Sequence, residues 1–137
     1  MDFSKIIEQN KEQMLKTLKE LLQIRSVLDE SLATKEQPFG PGIDEALKYM
    51  LDVAKQDGFK TVNDEGYAGH ISYGDNENDL VGVLCHLDVV PEGSNWTYPP
   101  YSATIVDNKI YARGAIDDKG PTVAAYYALK FIKDAGI

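Results

Sequence analysis

The chain has a single cysteine, Cys85, which excludes an intrachain disulfide and a cysteine-rich structural zinc site. Cationic residues are also scarce: 14 Lys and Arg stand against 22 Asp and Glu, for a formal net charge of −8. Phosphate-backbone binders use a basic patch, so nucleic acid is not an expected partner. Long apolar runs are missing as well. The strongest, Leu80 to Cys85, is far too short to span a bilayer, and the start from Met1 to Glu8 lacks the basic opening and apolar core of a signal peptide. The simplest expectation is a cytoplasmic protein that does not engage a membrane.

What is present is enough for one domain. A length of 137 residues, 43% of them hydrophobic and 26% charged, suits a single folded unit over residues 1–137 with its own core. Apolar residues at Ile6, Ile7, Met14, Leu15, Leu18, Leu21, Leu22 and Ile24 recur in threes and fours, which predicts an amphipathic helix between Phe3 and Ile24. Arg25 to Gly42 carries turn formers and reads as a loop. A second helix is expected from about Ile43, stopped by Gly58. Gly40-Pro41-Gly42 at its entry reads as a stiff connection rather than an anion cradle.

The period then changes to β-type segments: Phe59 to Val62, Ala68 to Tyr73 and Leu80 to Cys85, with turns at Asn63–Gly66 and Gly74–Asp79. The last is almost entirely apolar, which predicts a strand buried on both faces of a sheet between helix layers, and hence an α/β fold. A loop from Pro91 to Tyr101 precedes a hairpin, Ala103–Val106 and Lys109–Ala112, turning at Asp107-Asn108. A third helix is expected over Pro121 to Ala135, with Val123, Ala124, Tyr127, Ala128, Phe131 and Ile132 on its apolar face and Gly136 as its stop.

The most informative residues follow the Leu80–Cys85 run. His86 and Asp88 are two apart, so on a strand they share a face, and an Asp beside a metal-binding imidazole can fix its tautomer and orientation. An isolated His-x-Asp is commonly just a hydrogen-bonded pair. Its weight rises because a second acidic cluster, Ala112-Arg113-Gly114-Ala115-Ile116-Asp117-Asp118-Lys119-Gly120, lies at a strand-to-helix junction. Imidazole and carboxylate suit a divalent cation, and one carboxylate can bridge two ions. Asp117 reads equally as such a bridge or as a helix cap. Asp118 and Lys119 read as a local ion pair or cap, Cys85 as a small buried residue, and His70 as a surface or structural residue.

Two stretches, His86-Leu87-Asp88-Val89-Val90-Pro91 followed by Trp96, and Ala112 to Gly120, together resemble the N-terminal signatures of the M20 metallopeptidases. Gly40 to Leu47, Tyr67-Ala68-Gly69 and Lys119-Gly120-Pro121 continuing into Ala124 to Tyr127 resemble the PepV-type dipeptidases of that family. Cys85, Ala112 and Ile116 depart from commoner, smaller residues, which touches packing more than ligation.

The resemblance implies the N-terminal portion of a three-layer, zinc-exopeptidase-like α/β catalytic domain, without the family's lid domain. His86 would bind one zinc, Asp117 would bridge two, Asp88 would orient His86 as the catalytic second-sphere residue, and the Asp117–Asp118 peptide would be cis. The substrate would be a dipeptide or short peptide. The family's general-base Glu and its remaining ligands fall beyond these motifs and are not in this sequence. The expectation is therefore weak zinc binding and no peptidase activity for this polypeptide alone. Two alternatives stand beside it: N-acyl amino acid or succinyl-diaminopimelate hydrolysis, and a non-catalytic binding domain that keeps the fold. Oligomeric state is not legible.

Overall fold

The computed structural model describes residues 2–75 and 79–137. The turn expected at Gly74–Asp79 therefore lies partly outside the described residues, as does Met1. The first helix, α1, runs Phe3–Gln23. Its start is set by Asp2, whose side chain accepts the free backbone N–H of Lys5. The loop after it contains one 3-10 turn, Glu30–Leu32, capped by Asp29, which accepts from the backbone N–H groups of Ser31 and Leu32.

Helix α2 spans Pro41–Gln56, beginning two residues before the expected Ile43. Proline suits the first helical position because its ring presets φ and its missing N–H would be unsatisfied there anyway. Gly40 is the N-cap at φ +90°, a conformation that a side chain would strain. Gly42 is needed for a different reason: a Cβ there would lie 2.1 Å from the Arg25 carbonyl oxygen, so α2 packs directly on the backbone that follows α1.

Strands β1, Lys60–Asp64, and β2, Ala68–Ser72, pair antiparallel with Thr61 opposite Ile71 and Val62 opposite His70. His70 is exposed, as expected. A second hairpin joins β3, Thr104–Val106, to β4, Lys109–Tyr111. Its turn residues Asp107 and Asn108 both have positive φ, the requirement of a tight two-residue hairpin loop. Helix α3 covers Lys119–Asp134, starting two residues earlier than expected.

Mixed helix and strand content agrees with the α/β expectation, but one strand does not. Leu80 to Cys85 carries no strand pairing among the described residues, and Leu80, Val81, Val83 and Leu84 are 83%, 90%, 73% and 99% exposed. Apolar composition states what a segment would bury; only a neighbouring ladder makes it a strand. Cys85, expected to be buried, is half-buried.

The core lies where α1, α2 and α3 meet over the first hairpin: Leu21, Ala46, Met50, Ala54, Phe59, Val123, Tyr126, Tyr127 and Phe131 form one buried cluster. The buried face of α3 is rotated from the expected one. Tyr126 is inside while Ala124 and Ala128 are exposed and Ile132 is 39% exposed. Tyr126 is accommodated inside because its hydroxyl donates to Asp57 at the end of α2, while Tyr127, on the expected face, shares a buried hydrogen bond with Thr17 of α1 at 3.0 Å. Each aromatic thus buries its ring and satisfies its polar tip. Among the described residues no helix is long and apolar enough to cross a membrane.

Phe131→Ala is expected to destabilise the chain by about 3–5 kcal/mol, as a buried aromatic removed from a packed core. Leu84→Asp should change stability by no more than about 0.5 kcal/mol, because the side chain it replaces is already in water. Urea unfolding followed by circular dichroism checks both, and a large loss in Leu84→Asp would contradict the exposure of that segment.

Candidate metal centre

His86 to Val90 crosses the end of the helical core in an alternating pattern: Leu87 packs on the core and Val89 is buried, while His86 and Asp88 face outward. The motif around Asp117 is brought to the same place by the turn that enters α3. There the Lys119 backbone N–H donates to the Gly114 carbonyl at 3.1 Å. Gly114 has φ +82°, and a Cβ on it would sit 2.8 Å from Val89 Cγ1, so the two motifs touch backbone to side chain.

The result is a cluster of His86, Asp117 and Asp118, whose potential ligand atoms all lie within 4.8 Å of one another. His86 Nε2 is 2.9 Å from Asp117 Oδ1. On the other side of the ring, Nδ1 lies 3.2 Å from both the backbone carbonyl and the Oδ1 of Asp88; the carbonyl has the hydrogen-bonding geometry. The Asp117–Asp118 peptide is cis. Partial burial alone would lower the His86 pKa, but the Asp117 hydrogen bond, both Asp88 groups and the Asp118 charge outweigh it, and the net shift is upward.

Asp118 and Lys119 differ from their expected ion pair or cap. Asp118 stands at the N-cap of α3 but makes no side-chain cap bond; its Oδ2 accepts the His86 backbone N–H at 3.1 Å instead. Lys119 is fully buried and donates to the carbonyls of Leu21 and Ile24 at 2.9 and 2.7 Å, with no carboxylate bridging it among the described residues. Burial pushes its pKa down to about 8. Helix geometry accounts for the change: starting α3 at Lys119 turns that side chain inward and leaves Asp118 facing the cluster.

The donor set fits a divalent cation. It offers one imidazole nitrogen and two carboxylate groups, of which His86 and Asp117 line a cleft of about 370 Å³ open to solvent, together with residues including Asp88, Trp96, Arg113 and Ile116. Nitrogen and oxygen donors of this kind suit zinc and its first-row neighbours. The outer wall depends on Glu92, which sequence reasoning passed over. Its carboxylate takes Arg25 in a salt bridge at 3.1 Å and accepts from Tyr101, while its carbonyl accepts from Trp96 Nε1 and Arg113. The Arg113 guanidinium lies 5.3 Å from the Trp96 ring centroid, in cation–π contact. Trp96 and Tyr101 are near Glu92 in sequence, but Arg25 and Arg113 come from distant positions that no local pattern around Glu92 signals.

Residues 82–137 match the model of Peptidase family M20/M25/M40, and that span contains His86, Asp88, Asp117 and Asp118. Over that segment the chain is similar to M20 peptidases. "Putative dipeptidase YtjP" of Bacillus subtilis (strain 168) is 47% identical over the whole of this chain and 29% of its own length. A "Putative dipeptidase" of Staphylococcus epidermidis is 50% identical over 89% of this chain and 26% of its own. Among solved structures, an M20 family metallo-carboxypeptidase from Sulfolobus solfataricus shares 35% identity with a TM-score of 0.67, over 90% of this chain and 28% of that one. Human carnosine dipeptidase 1, at 24% identity and a TM-score of 0.71 over 96% of this chain and 30% of that one, shares the fold. The chain thus spans under a third of the length of the curated relatives it matches.

The Glu92 contacts carry a pH dependence. Its own backbone N–H, Arg25 and Tyr101 hold the carboxyl below the usual glutamate range. A depressed acid stabilises the fold above its unfolded pKa and loses that contribution as pH falls through the folded value. Trp96 is the sole tryptophan, so its fluorescence should report loosening of this wall in acid, below the ordinary glutamate range. Glu92→Gln should remove that step while far-UV circular dichroism keeps its helical signal; an unchanged step would assign it to another group.

Proposed function

We propose that this chain supplies the first part of a zinc site in an M20 dipeptidase, and that the full-length protein hydrolyses the amide of dipeptides or other short peptides. The observation that carries the reading is the approach of His86 to Asp117 from motifs distant in sequence, with Asp88 behind the imidazole. The names of the similar bacterial proteins favour a dipeptidase over the acyl and succinyl hydrolases of the same family.

In this reading His86 presents Nε2 as a neutral ligand and Asp117 presents a carboxylate able to bridge two ions. Asp88 is the second-sphere residue that fixes the tautomer: its carbonyl and carboxylate at Nδ1 favour a proton there and leave Nε2 free to ligate. Asp118 offers a further oxygen and holds the His86 backbone. Bound zinc would supply Lewis-acid polarisation of the scissile carbonyl and acidification of water. The walls at Trp96 and Arg113 narrow the approach to the cluster. His86, Asp117 and Asp118 are at most three donors for two ions, so weak zinc binding is the expected outcome for the 137-residue chain.

In the full-length protein, His86→Ala should lower dipeptide hydrolysis by at least about 100-fold. Asp88→Ala should weaken zinc affinity by roughly 10–100-fold, the usual cost of losing a ligand's orienting partner. Kinetics on a panel of dipeptides and acyl amino acids, with zinc removed by chelation and restored, checks the assignment. Preference for acyl amino acids would overturn the dipeptidase reading, and full activity after zinc removal would overturn the metal.

A further inference from the structure

We infer that Ser26, in the loop after α1, is a positioning residue for the His86–Asp88 unit. The inference rests on the metal-site reading above and extends it to a residue outside both motifs. Ser26 is fully buried. Its hydroxyl donates to the Leu87 carbonyl at 2.6 Å, and its own carbonyl accepts the Val89 backbone N–H at 2.9 Å. These are the two peptide groups on either side of Asp88. One residue therefore grips the backbone before and after the side chain that faces His86 Nδ1, in a segment that has no strand or helix to hold it.

Ser26 is itself anchored from the other motif. Its backbone N–H donates to the Ile24 carbonyl at 3.0 Å, and the same carbonyl accepts Lys119 Nζ at 2.7 Å. Lys119 follows Asp117-Asp118, and its second acceptor is the Leu21 carbonyl in the last turn of α1. A continuous hydrogen-bonded path thus runs from the start of α3, through the end of α1 and Ser26, to the peptides flanking Asp88. The two halves of the candidate site are held in register by the end of α1. Carbonyls at a helix C-terminus lack intrahelical donors and carry partial negative charge, which suits them to a buried ammonium.

Two measurements on the 137-residue chain test this: residue-resolved amide hydrogen exchange without metal, and zinc titration. The Val89 amide should be protected like core amides although its neighbours His86 and Asp88 are exposed; exchange as fast as that of Leu84 would overturn the inference without any variant. Ser26→Ala should speed exchange at Val89 and lower zinc affinity about tenfold, within the range for loss of an outer-sphere contact, and Ser26→Thr, which keeps the hydroxyl, should recover much of both. Tyr127→Phe, which removes a buried hydrogen bond elsewhere, should lower the melting temperature yet leave zinc affinity unchanged. Zinc affinity in Ser26→Ala within twofold of the original overturns the positioning role. If the original chain takes up no zinc, the metal reading fails, and exchange alone decides Ser26: faster Val89 exchange in Ser26→Ala supports the hold, and unchanged exchange sinks it.

Discussion

The buried ammonium of Lys119 is the constraint on which the site's construction turns. A fully buried charge without a carboxylate partner is costly, and it is tolerable only where several oriented dipoles replace water. The end of α1 provides them: the Leu21 and Ile24 carbonyls, which also accept the Ile24 and Ser26 backbone N–H groups, lie at a helix terminus where the regular ladder has ended and lone pairs remain for the ammonium. Meeting that need brings the start of α3 against the end of α1. The core follows from the same contact: Leu21, Val123 and Tyr127 pack where the two helices approach, and Thr17 meets the Tyr127 hydroxyl further along.

The outer side of this junction has the opposite character. Asp88, Asp117 and Asp118 gather around one imidazole at a surface where water still screens them, with the Asp117 and Asp88 side chains 81% and 58% exposed. Three like charges at such a spot repel, and the fold tolerates them through the His86 ring, the His86 backbone N–H and solvent. A divalent cation would relieve the remaining repulsion. A buried cation below and the half-buried Asp118 carboxylate above are separated by the single step from Asp118 to Lys119.

Much of the local structure was legible in sequence because it depends on neighbours along the chain. The threes-and-fours spacing of Leu18, Leu21 and Leu22 located α1, Asp107-Asn108 located the second hairpin's turn, and Gly58 and Gly136, both at positive φ, located the helix ends. Boundaries shifted where proline or a cap set them: Pro41 opened α2, and Lys119 joined α3. The Leu80–Cys85 run misled because apolar composition is a property of the segment, whereas strand formation is a property of a pair. The α3 face misled because a hydroxyl partner at the end of α2, Asp57, which periodicity does not see, accommodates Tyr126 inside in place of Ala124.

By itself the sequence determined the chemistry available to this protein: an imidazole with a carboxylate two residues on, a distant Asp-Asp-Lys-Gly junction, and too few cysteines or cationic residues for most competing roles. Those are properties of residue type and spacing. Tertiary structure decided which of those groups meet and what holds them. His86 to Asp117, Glu92 to Arg25 and Ser26 to Leu87 are contacts between positions far apart along the chain. Packing and buried hydrogen bonds select such pairings, and no local pattern encodes them.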